Sequence, residues 1–311
     1  MKKILIITLL LSSTFANALE YLSELPANNY GKVNLSAVKW VADTFNTIPM
    51  TGFPGKNDTV NLRGAGEFTI VIDKDFTTGH LLANGNIFAE NRKLNFKTIE
   101  THLSPGEEGH AVFTMKNCNL KVTQNFLPVI LQAVDSRQAG RMTLKFIDSV
   151  AKFNGLYNMV ILNGNIKNAR GPGGATLSLE GKSVVEFGGI LIDSFAATNP
   201  NQISSEFEFA EKDGNLPLLV FGTAVNDVAK TNIKVRITPS AKKGRYTLVD
   251  FTAKTPFTGE FVNLTINGKK VAFDEARQVG NLKATLIKMA SPTGKDRATG
   301  NDIVLVIEEV K

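Results

Sequence analysis

KGRYTLVDF (residues 243–251), TGEFVNLTINGKKVAF (258–273), LKATLIKM (282–289) and GNDIVLVIEEVK (300–311) close the chain. Each is a short apolar or alternating run, and Gly, Asn, Asp, Thr or Pro separates it from the next. That is the pattern of strands joined by tight turns, and none of these runs holds a helical period. The pattern continues back toward the N-terminus through NIKVRITP (232–239), SEFEF (205–209), SVVEFGGILID (183–193), RMTLKFID (141–148), AVFTM (111–115) and TVNL (59–62). Strands this short and this numerous, with almost no helical interlude, indicate an all-β protein.

Three all-β architectures compete for a chain of this length. A β-sandwich holds seven to nine strands in about 100 residues, so two such domains and a linker would be needed, and no Pro- or Ser-rich linker occurs. A propeller would carry a blade signature at a fixed period, and none is found. A parallel β-helix coils short strands with apolar residues inward and Asn, Asp and Gly at its corners. The sequence favours it. HLLANGNIF (80–88) and MVILNGNIK (159–167) share an Asn-Gly-Asn-Ile theme after an apolar run, and their offset is close to four coils of about 20 residues each. Asp also recurs at or near strand ends in TIVID, TLKFID, GGILID and YTLVDF. Asn and Asp tolerate the left-handed backbone at corners and bond neighbouring amides there. Asn84, Asn86, Asn163 and Asn165 are therefore expected to stack as corner residues.

Residues 1–18 read as a secretory signal peptide. Lys2 and Lys3 form a basic start, Ile4 to Leu11 an apolar core, and Ala16-Asn17-Ala18 a small-residue cleavage site. The apolar run is far shorter than the roughly 20 residues a membrane span requires. Cleavage after Ala18 removes two of the 35 basic side chains and leaves all 29 acidic ones, so the mature chain stays mildly basic. These charges are interspersed, without the one-sided Lys/Arg run of a nucleic-acid binder, so no nucleic-acid partner is expected. The mild excess fits a solvated surface with weak attraction to acidic polymers. Cys118 is the only cysteine, so no internal disulfide is possible. Its alternating context, MKNCNLKV, makes it a buried small side chain rather than a reactive thiol.

Residues 19–57 differ from the rest and are expected to cap the column. YGKVNLSAVKWVADTFN (30–46) spaces Val33, Ala37, Trp40, Val41 and Phe45 for a short amphipathic helix, ended by Pro49 and Pro54. Trp40, the only Trp, is expected to plug the open end, with substrate stacking as the competing role. Residues 58–240 form the rungs and 241–311 the closing β-segment.

Gly244, Tyr246, Thr247, Leu248, Asp250 and Phe251, then Gly259, Phe261, Asn263 and Leu264, then Asn301 and Asp302, match a recurring phrase. In these residues the C-terminal part of the chain resembles the closing segment of autotransporter-like passenger domains. The resemblance implies an exported, single-stranded right-handed parallel β-helix, often adhesive, although no translocator barrel follows Lys311.

No motif names a reaction. His80, His102 and His110 are the only histidines, and His102 and His110 flank Glu107 and Glu108 in a Pro-Gly loop that matches no zinc spacing. Gly171-Pro172-Gly173-Gly174 lacks the Lys-Ser/Thr continuation of a phosphate loop and reads as a turn. Asp73 and Asp75, two apart, would project from one side of a strand and offer calcium or acid/base chemistry; a solvated turn is the competing reading. No catalytic, cofactor or metal residue is therefore assigned. The expectation is an exported, non-enzymatic β-helix with a structural or adhesive role, meeting a glycan or a surface protein, with no membrane span in the mature chain. A polysaccharide lyase or hydrolase on the same fold, and a carbohydrate-binding β-sandwich, are the alternatives.

Overall fold

The computed structural model describes residues 19–24, 31–42, 48–63, 68–103, 110–132, 141–163, 173–192, 203–222, 226–252, 258–289 and 302–310. The signal-peptide segment, Glu107, Glu108, Asn165, Gly171 and Pro172 lie outside them. Every named strand belongs to one continuous sheet, and nearly all pairings between successive coils are parallel. The protein is a parallel β-helix with three strands to a coil. Parallel register around one core excludes the β-sandwich alternative.

Three ladders define three faces. On face I, Thr78, Phe96, Val122, Phe153, Phe187, Phe221 and Phe251 stand in register. On face II, Tyr21, Val60, Leu81, Ile99, Phe126, Tyr157 and Ile190 do the same. Face III stacks Val33, Ile70, Ile87, Phe113, Leu144, Leu177, Phe207, Ile233 and Leu264. Side chains alternate across a strand, so fixing one register column sends every second residue into the shared interior. The three columns meet in a single hydrophobic core. Phe153 and Phe187 stack with ring centroids 4.3 Å apart, and Phe221 and Phe251 extend the pile at 5.8 and 5.5 Å.

The coils do not keep the uniform repeat of roughly 20 residues expected from the sequence. Face I returns to itself quickly from Thr78 to Phe96, whereas the coil from Phe153 to Phe187 takes nearly twice as much chain. The extra chain falls mainly between faces II and III, where a connection can lengthen without disturbing the ladders. The Asn-Gly-Asn echo therefore spans three coils, Leu81 to Ile99 to Phe126 to Tyr157. The same register puts Val160, not Asn163, on the line of Asn84. The expected Asn stack is thus wrong: Asn163 pairs with Gln132, and the Asn84 amide donates to Asn61 Oδ1 at 3.0 Å.

The corner column runs elsewhere, between faces III and I. Asn91, Asn117, Asp148 and Gly181 occupy it with φ of 56°, 50°, 49° and 67°. Each N–H donates across a coil: Asn91 to Lys116 O, Asn117 to Ile147 O, Asp148 to Glu180 O and Gly181 to Ala210 O, at 2.9 to 3.1 Å. Just past it, the Cys118 N–H donates to Ser149 Oγ and the Ser149 N–H to Ser183 Oγ. Cys118 is a buried corner residue at the position that Ser149 and Ser183 take in the next two coils.

No helix forms over the described part of residues 30–46. Lys32–Asn34 is a strand on Thr69–Ile72, Leu35–Ala37 is one 3-10 turn, and Trp40–Val41 pairs antiparallel to Glu20–Ser23. A neighbouring coil already offers unpaired ladder groups, and ladder bonding outweighs the modest helical pattern of so short a segment. Trp40 is 5% exposed. Its ring lies perpendicular to those of Tyr21 and Phe53, and its burial leaves no open face to stack on a ligand.

The far end changes direction. Gly244–Phe251 stacks in parallel on Leu218–Phe221 through its last residues, while its first half pairs antiparallel with Asp302–Glu309. Leu282–Met289 and Ala276–Val279 extend that antiparallel sheet. Asp302 is buried, and its Oδ1 accepts the Phe251 N–H at 3.0 Å.

Candidate ligand-binding face

The outward positions of face I are flat and mostly polar. In register along the strands stand Lys93 with Asn119 and Val150, then Asn95 with Lys121 and Lys152, and beyond them Lys97 and Thr123. All of these are exposed. They occupy the sides of rungs about 4.8 Å apart, with about 6.6 Å between outward neighbours on one strand. Lys152 is bound to Glu186 one coil away at 3.1 Å. Among the described residues Lys93, Lys97 and Lys121 have no carboxylate partner, and they leave this flank positively charged. Asp75, the nearest carboxylate in the preceding turn, accepts the Lys93 backbone N–H at 2.9 Å.

An open groove of about 390 Å³ borders the flank at the corner column. Arg92, Lys93, Asn117, Asn119, Asp148 and Val150 are among its lining residues. Arg92 Nη1 donates to Asn91 O at 3.2 Å, whereas its buried Nε has no partner among the described residues. Cys118 lines the same groove, but burial pushes its thiol up and away from the thiolate form. Asp148 is tied back: burial raises its carboxyl, but the Lys212 ammonium and the Lys182 N–H, both bonded to it, hold it below the usual range.

The other chemistry-bearing residues resolve into structural roles. Asp73 and Asp75 sit in the turn after Thr69–Ile72, not on a strand, so they do not project as a pair. Asp73 instead accepts the Ser36 N–H and hydroxyl. His80 Nδ1 lies 2.7 Å from Thr98 Oγ1, and His110 Nε2 lies 3.0 Å from Thr143 Oγ1. Burial lowers both imidazoles, helped by Lys97 and Arg141 respectively. The side chain of His102 lies outside the described residues. Gly173 and Gly174 open the strand Gly173–Glu180 and pair with Ile203 and Ser204, so this half of the glycine cluster is strand rather than turn. No group of three or more His, Cys, Asp or Glu poised for a metal occurs among the described residues.

One cluster escaped the sequence. On face III, Lys234 Nζ lies 2.7 Å from Glu206 and 3.8 Å from Glu208, one coil away. Burial raises the Glu206 carboxyl and the Glu208 charge adds to the effect, against Lys234. The alternation SEFEF and KVR was visible, but which strand lies beside which depends on coil length. The face I flank was hidden for the same reason: Lys93, Lys97 and Lys121 are dispersed in sequence and adjacent only once coiled.

By fold and surface this is a single-sheet parallel β-helix with a cationic, Asn- and Thr-bearing flank. Searched against protein-family models, curated proteins and solved structures, the chain matches none. No helix among the described residues is long and apolar enough to cross a membrane.

Proposed function

We propose that the protein is an exported β-helix scaffold that adheres to glycan through repeated weak contacts along its side. The observation that carries this reading is the face I flank, where unpaired lysines alternate with Asn and Thr on a rigid lattice. Such a surface lacks a deep reaction pocket, but several weak contacts on one rigid frame act together, and their avidity far exceeds that of each alone. Export is supported by the N-terminal Lys-Lys, apolar and Ala-Asn-Ala sequence, and surface display by the resemblance to passenger domains. Adhesion is tested with a glycan array probed by the mature chain, beside a polysaccharide-degradation assay on the same preparation. Binding without turnover is expected; no binding to any glycan overturns it.

A second reading, a polysaccharide-active enzyme, is favoured by the Glu206, Glu208 and Lys234 cluster. A carboxyl raised by burial beside a second carboxylate is the kind of environment a general acid needs. Turnover of any polymer that is lost in Glu206→Gln would establish it in place of the adhesive role.

A further inference from the structure

We infer that the corner groove and the flank beside it, centred on Arg92, Lys93, Lys97 and Lys121, bind an acidic polysaccharide. This rests on the glycan reading above and specifies the class of chain.

The charge pattern separates this flank from the other rungs. Lys116 is matched to Glu90 at 2.7 Å, Lys145 to Glu180 at 3.4 Å and Lys234 to Glu206 at 2.7 Å, each across one coil step. These outward cations are thus neutralised by carboxylates on the adjoining rung. Around Lys93, Lys97 and Lys121 the adjoining outward positions carry Thr77, Asn95, Asn119, Thr123 and Lys152, which is already paired with Glu186, while Asp75 beside Lys93 accepts that residue's backbone N–H. Three ammonium groups consequently share one area without a side-chain ion pair among the described residues. Each is worth little alone against water, but a polyanion meets all of them at once.

The groove adds directional recognition. The guanidinium of Arg92 is only partly used: Nη1 serves Asn91 O, and Nε is buried without a partner among the described residues. A planar guanidinium with free donors pairs with carboxylate or sulfate oxygens in a fork geometry that ammonium lacks. Asp148, on the far wall, is occupied by Lys212 and the Lys182 N–H and so adds little repulsion.

The neutral residues decide between polyanions. Asn95, Asn119 and Thr123 offer amide and hydroxyl groups that match sugar hydroxyls. The outward positions of this flank carry no aromatic ring among the described residues, and single-stranded nucleic acid draws much of its affinity from stacking on such rings. An acidic polysaccharide satisfies both the charge and the hydroxyl-rich spacing; a nucleic acid satisfies only the first.

The test uses the mature chain with sodium alginate, neutral dextran and oligo-dT as immobilised probes, over a range of salt. Alginate is expected to bind and dextran not, with affinity falling as salt rises. The triple variant Lys93→Glu, Lys97→Glu, Lys121→Glu should lose about tenfold or more in affinity with an unchanged unfolding midpoint. Lys269→Glu, Lys270→Glu, Lys283→Glu makes the same change in net charge at exposed sites of the closing segment, and should retain binding. Equal loss in both triple variants, equal binding of dextran, or tighter binding of oligo-dT overturns the assignment. Binding confined to neutral glycans on the array overturns it while leaving the adhesive reading intact; binding to no glycan removes both.

Discussion

At the scale of single residues, the corner between faces III and I depends on left-handed backbone. Asn117 adopts φ 50° with its N–H committed to Ile147 O. Asn accepts this conformation at small cost, whereas a β-carbon without a compensating polar group costs roughly 1 to 2 kcal/mol. Asn117→Ala is therefore expected to lower stability by about 1 kcal/mol, and Asn117→Gly by less, as read by urea unfolding. Equal losses in both would mean that the Asn side chain, not the backbone angle, holds the corner. The sequence announced Asn and Asp as corner residues in general. Asp148 is one, whereas Asp250 lies buried within a strand, in parallel register with Val220 of the preceding coil.

At the scale of the element, Val184–Ile192 shows how the core and the corner constrain each other. Phe187 lies between Phe153 and Phe221, and the next residue, Gly188, turns the chain from face I to face II. A β-carbon on Gly188 would stand 2.7 Å from Asn154 O on the neighbouring coil. Backbone carbonyls stacked in a ladder cannot retreat, so Gly188→Ala is expected to cost about 2 kcal/mol or more through forced displacement. Phe187→Ala removes a ring packed between neighbouring rings and should cost about 3 to 5 kcal/mol. Both are measured by denaturant midpoint against the parent chain. A Gly188→Ala variant of parental stability would show that the coils separate more easily than this packing implies. The apolar alternation of this strand was legible from SVVEFGGILID; the need for glycine was not, because it comes from the coil before.

At the scale of the whole molecule, stability in acid depends on carboxylates that tie coils together. Burial raises Asp148, Asp73 and Glu211, but each is outweighed: Lys212 and the Lys182 N–H lower Asp148, the Ser36 hydroxyl and N–H lower Asp73, and Thr238 and the Gly214 N–H lower Glu211. Their folded values lie below ordinary ones of 3.8 for Asp and 4.5 for Glu. The folded chain therefore holds fewer protons than the unfolded one in that window. The stability they contribute is fully present above pH 4.5 and is lost as pH falls through the folded values. Below that pH the unfolding midpoint should drop as these carboxylates are protonated, and Asp148→Asn should shallow the drop. An unchanged slope in that variant would assign acid lability to other groups.

The amino-acid sequence by itself determined most of the strands beyond residue 58 and the existence of a column. Period-two alternation and turn residues are local signals, and they survive any ignorance of what lies beside them. Only the tertiary structure decided coil length, the true corner column, the strand-built first coil and the cationic flank. Each follows from which residue comes to rest above which, and that is set by connections of unequal length that carry no period of their own.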